Sequence, residues 1–79
     1  MNPRVASVEV LENYILEVEF ENGEKGHFSM KPYLEYPVYL PLKDYKLFKK
    51  ARVAFGFVSW NDDIDMSHDT LYLESKIVA

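Results

Sequence analysis

The sequence predicts an α+β fold: a small antiparallel sheet in the order β-β-β-α-β-β-α, with helices covering one face. Three observations carry this expectation. Residues 14–30 alternate apolar and polar on both sides of an Asn-Gly turn, Asp44 and Ser67 stand as caps ahead of amphipathic stretches, and two short apolar runs flank Gly56.

Taken in order, residues 4–11 alternate as a strand with Ala6, Val8 and Val10 inward. Residues 14–20 place Tyr14, Leu16, Val18 and Phe20 on one face, and Ile15, Glu17 and Glu19 on the other. A three-residue loop, 11–13, with Asn13 left-handed, then pairs Val10 with Tyr14, Val8 with Leu16 and Ala6 with Val18. For the next hairpin a two-residue turn at Asn22-Gly23 would set Phe20 against Lys25 and Val18 against His27, mixing core with polar residues. A loop of residues 21–23 with Gly23 left-handed keeps the parity. It pairs Tyr14 with Met30, Leu16 with Phe28, Glu17 with His27 and Glu19 with Lys25.

Pro32 opens a short helical turn over 32–35. In YPVYLPL, residues 36–42, Pro37 and Pro41 forbid a central strand or a helix interior, so an extended connection or edge segment is predicted. Asp44 caps a helix to about residue 50, with Leu47, Phe48 and Ala51 inward and Lys46, Lys49 and Lys50 outward. Strands at 53–55 and 57–60 bend at Gly56, and Trp60 is the largest core anchor. Asn61-Asp62-Asp63 is turn chemistry. Ser67 then caps a helix over 68–76, with Met66 stapled onto Leu71.

At 79 residues the chain is expected to form a single domain, with a stability of about 4 to 12 kcal/mol. Its hydrophobic fraction of 48%, including six Tyr, five Phe and one Trp, is enough for a core. There is no cysteine, which excludes disulfides and thiolate chemistry and is compatible with a reducing compartment. With no signal-peptide pattern and no long apolar run, an unexported cytoplasmic protein off the membrane is expected. The net charge of −4 disfavours direct DNA binding.

The segments FENGEK at 20–25, PLKDYKLFKKARV at 41–53 and VSWNDDIDMSHDTLY at 58–72 resemble the bacterial family called domain of unknown function 2442. Trp60, Asp63-Ile64 and Asp69-Thr70-Leu71-Tyr72 are the most specific part. The resemblance implies a small α+β domain; some members add a C-terminal helix-turn-helix, for which a chain ending at Ala79 is too short. It also implies a partner protein, since members have been proposed as halves of toxin and antitoxin-like pairs. It implies no catalytic set.

Several constellations have plainer uses. Asp62, Asp63, Asp65, His68, Asp69 and Glu74 form an acidic cluster, and counting from Asp63 gives a partial calcium-loop spacing with oxygens at Asp65, Ser67, Asp69 and Glu74, but His68 stands where that loop needs Gly, so turn and cap chemistry is expected instead of a metal. Ser59, Ser67, His68 and Asp69 have the letters of a hydrolase triad without its dispersal over the fold, and no cofactor or enzyme activity is expected. Lys43, Lys46, Lys49, Lys50 and Arg52 solvate one helix face and complement its dipole. Residues 36–42 are too apolar for a plain loop, which makes Tyr36, Val38, Tyr39, Leu40, Lys46, Lys49 and Lys50 a candidate interface for a protein partner or a second copy of the chain. A non-enzymatic interaction module of the antitoxin-like or regulatory kind is the leading expectation. A small-ligand sensor and an enzyme with an unrecognised site are the alternatives.

Overall fold

The computed structural model describes residues 2–79. In chain order the elements are β1 (Val5–Leu11), β2 (Ile15–Phe20), β3 (Lys25–Ser29), α1 (Tyr45–Phe48), β4 (Arg52–Ala54), β5 (Phe57–Ser59), β6 (Asp65–Met66), α2 (His68–Glu74) and β7 (Lys76–Ile77). The fold is α+β and antiparallel, as expected, with its strands divided between two sheets. One runs β1-β2-β3-β7 and the other β4-β5-β6.

The β2–β3 register follows apolar parity. Leu16 pairs with Phe28, Glu17 with His27 and Glu19 with Lys25, and Gly23 closes the loop at φ +91°. Glu17 and His27 meet at 2.9 Å on the outer face. The β1–β2 register differs from the expectation by two residues: Val10 pairs with Leu16 and Val8 with Val18. The loop is Glu12–Tyr14, with both Asn13 (φ +62°) and Tyr14 (φ +60°) left-handed. Tyr14 is drawn out of the strand because its ring packs on Phe48 (5.0 Å) and Tyr45 (5.4 Å) and its hydroxyl donates to the Lys43 carbonyl. A bulge between Val5 and Ser7 then changes the parity at the strand's start. Val5 is buried in place of Ala6, which is exposed.

Asp44 caps α1 by accepting from the Lys46 N–H at 3.0 Å. The helix is shorter than predicted because its hydrogen bonds tighten: Lys49 N–H reaches back to Tyr45, whereas Lys50 N–H reaches only to Leu47 and Ala51 N–H to Phe48. Phe48 is fully buried, stacks on Trp60 at 6.2 Å and accepts the indole N–H at 3.0 Å. Phe55, expected within a strand, lies in the turn between β4 and β5.

Ser67 caps α2 through the Thr70 N–H, and Met66 and Leu71 are both buried, as the staple requires. The helix stops at Glu74 and residues 76–77 form β7 instead of a last turn, since Ser75 is extended and Lys76 and Ile77 find partners in His27 and Gly26. Tyr72 lays its ring edge-on to Phe20 at 5.0 Å and donates its hydroxyl to Glu24 at 2.6 Å. This bond, followed by one from Asn22, holds the Glu24 carboxyl below its ordinary 4.5.

Trp60→Ala should cost about 3 to 5 kcal/mol in chemical denaturation, close to the whole margin of so small a chain. Gly23→Ala, where an added Cβ meets nothing within 4 Å, should lose about 1 kcal/mol to backbone strain alone. Gly26→Ala should lose about 1 to 3 kcal/mol for a different reason, because its Cβ would lie 2.8 Å from that of Ser75 and push β7 away. The Glu24 contribution has a definite sign: a depressed carboxylate stabilises above the ordinary carboxylate range and loses that effect as pH falls through its folded pKa. Tyr72→Phe should therefore raise the Glu24 pKa in a carboxyl NMR titration and flatten the acid limb of the stability curve.

Candidate interaction surface

The segment joining β3 to α1 begins with a 3₁₀ turn, Lys31–Tyr33, and ends with another, Leu40–Lys43. Between them the chain is folded into consecutive turns, which corrects the expectation of an extended connection. The prolines explain why. Pro37 occupies the second position of the turn closed by Tyr39 N–H to Tyr36 O (2.9 Å), where its fixed φ is an advantage. Pro41 lies in the first turn of the second 3₁₀ helix, whose missing N–H partner is no loss there.

The segment is anchored at both ends and in the middle. Leu34 and Leu42 are buried. Tyr33 packs on Phe28 at 5.3 Å and receives Tyr36 and Tyr39 edge-on at 5.7 and 6.2 Å. Tyr39 donates its hydroxyl to the Asp65 carbonyl at 3.1 Å, joining the segment to β6. Burial, then the Asp65 carboxylate, pushes the Tyr39 phenol above 10.0; burial, then Glu74, does the same for Tyr33. Both hydroxyls therefore stay protonated throughout the neutral range.

What this frame displays is apolar. Tyr36, Val38 and Leu40 are 54%, 52% and 43% exposed. Tyr39, placed beside them in the sequence, is turned toward the core and acts as an anchor. Lys43 pairs with Glu35 at 3.0 Å, which brings the base of α1 alongside the segment. Lys46, Lys49 and Lys50 are exposed, and among the described residues none has a carboxylate within ion-pair distance. The Tyr39–Asp65 link could not be found from periodicity, since it joins residues 26 apart through a backbone carbonyl.

Several members of the other constellations are engaged in hydrogen bonds, whereas His68 Nδ1 is buried without one among the described residues. Asn61 Oδ1 accepts from Asp63 and Ile64 N–H, Ser59 Oγ donates to the Asn61 carbonyl, and Ser67 Oγ is held by Thr70. Asp69 accepts from Asn2 at 3.0 Å, and its carboxylate lies 3.6 Å from His68 Nδ1. Among the described residues no three His, Asp or Glu side chains converge as a metal site would require. Nor is any helix there long and apolar enough to cross a membrane.

Tyr39→Phe removes the hydroxyl bond without changing the ring and should cost about 1 kcal/mol, read as a shift in denaturant midpoint.

No curated protein and no solved structure matches the chain. The family model described as Protein of unknown function (DUF2442) matches residues 5–76, from the first strand to the start of β7, and the chain belongs to that family.

Proposed function

We propose that this protein is a non-enzymatic interaction module that binds a protein partner through Tyr36, Val38 and Leu40, with Lys46, Lys49 and Lys50 as a charged rim. One observation carries the reading: a turn segment held by buried leucines, the edge-on packing of Tyr39 on Tyr33 and a backbone link displays three large apolar side chains to solvent. A flexible loop would lose conformational entropy on binding, whereas this one is ordered beforehand, so less of the contact energy is spent on ordering. The lysines would meet carboxylates of the partner, speeding encounter and making it salt-dependent. A regulatory or antitoxin-like role fits such a module.

The test compares affinity capture from native extract by the wild-type chain and by Tyr36→Ser/Val38→Ser, with sedimentation to read self-association. Both substitutions act at exposed sites and should leave the melting temperature nearly unchanged. Retention of a stoichiometric partner, or dimerisation, should be lost in the variant and weakened by salt. A wild-type chain that stays monomeric and retains nothing, or a variant that retains everything, overturns the proposal.

A further inference from the structure

Among the described residues three non-glycine positions have left-handed backbone: Asn13, Tyr14 and Phe55. Asn tolerates the conformation, and the strain at Tyr14 is offset by its packing on Phe48 and its bond to Lys43. Phe55 has no such offset. Its φ is +51°, that of Gly56 is +86°, and Ala54 pairs with Phe57, so the two residues form the centre of a type I′ hairpin turn. That first central position favours Asn, Asp or Gly, yet here it carries an aromatic ring that is 89% exposed, the most exposed large hydrophobic among the described residues. Its aromatic neighbour is Phe57, at a ring distance of 6.4 Å.

The tip is nevertheless held firmly. Val5 N–H donates to the Gly56 carbonyl at 2.9 Å, and Arg4 Nη1 donates to the Phe55 carbonyl at 3.4 Å. The Arg4 stem lies so close over Gly56 that a Cβ there would meet Arg4 Cδ at 2.8 Å. Among the described residues no carboxylate lies within ion-pair distance of Arg4. A strained, rigidly backed aromatic ring thus stands beside a guanidinium with no anionic partner. An observed outlier of this kind points to use at a contact.

We infer that the β4–β5 tip is a second docking point, for a protein segment that places an apolar side chain on Phe55 and a carboxylate on Arg4. Charge complementarity selects the occupant. A guanidinium is matched by a carboxylate in a two-pronged bond. A nucleic acid strand would bring a row of phosphates to a chain of net charge −4 and would be repelled. This inference does not rest on the Tyr36 surface, which lies on a different segment.

Two measurements on the full chain test it. Phe55→Asn should raise the melting temperature by about 4 to 8 °C, because Asn relieves the strain and little packing is lost. An unchanged or lower melting temperature would mean that the ring serves the fold, and the inference falls. In the second, benzoylphenylalanine replaces Phe55 and is photolysed in native cells. The expected adduct maps to a protein segment with Asp or Glu beside apolar residues, falls about tenfold or more in Arg4→Gln, is partly kept in Arg4→Lys, and persists in Tyr36→Ser/Val38→Ser. No adduct, an adduct to nucleic acid or to another copy of the chain, indifference to Arg4→Gln, or loss with Tyr36→Ser/Val38→Ser would each overturn it.

Discussion

The contact between Phe48 and Trp60 is the constraint on which the rest of the structure depends. Trp60 lies between β5 and β6 of the second sheet, Phe48 ends α1, and Tyr14 reaches Phe48 from the loop of the first sheet, so three otherwise separate parts meet at one buried ring. The indole N–H finds its acceptor in the Phe48 carbonyl at the end of α1, which also accepts from the Ala51 N–H. Leaving that N–H buried and unpaired would cost about 1 to 3 kcal/mol. None of the parts is large enough to persist alone. A four-residue helix lies far below the length at which isolated helices are stable, and strands of two or three residues need a packed neighbour.

This explains which features were legible in the sequence. The β2–β3 register is decided by local parity, since every wrong choice puts a charge where Leu16, Val18 and Phe28 are buried. The caps Asp44 and Ser67 are likewise local, because each side chain bonds within three residues of itself. The β1–β2 register is not local. Tyr14 has the parity of a strand residue, and only the presence of Phe48 and Lys43, more than twenty-five positions away, makes the turn the better place for it. Residues 36–42 failed for a related reason: proline exclusion says what the segment is not, while the turns it does adopt depend on Tyr33 and Asp65. For the surface, the same reading placed Tyr36, Val38 and Leu40 among exposed residues but could not separate them from Tyr39, whose hydroxyl has a partner only in the fold.

Family membership adds extent to this picture and leaves chemistry to the residues. The hydroxyls that could have formed a reactive site are engaged close to home, Ser59 in the Asn61 turn and Ser67 in the cap of α2. Those engagements position α2, whose Tyr72 then fastens the β2–β3 loop through Glu24. Polar groups in this molecule chiefly hold short elements in place, which follows from its size: with few long helices or strands, more of the chain must be fixed by side chain to backbone bonds.

The apolar surface is the exception to that economy and so the best guide to function. Burying a side chain such as Val or Leu fully is worth about 1.5 to 3 kcal/mol, so three left half-exposed forgo roughly 2 to 4 kcal/mol of stabilisation. Against a total margin of about 4 to 12 kcal/mol that is a large fraction. Collapse onto the core cannot recover it. Pro37 and Pro41 fix the backbone, Leu34 and Leu42 already occupy the core on either side, and Tyr39 holds the intervening turn to β6. The exposure is therefore built into the segment's own anchoring, and burial of Tyr36, Val38 and Leu40 requires a surface from outside the folded chain.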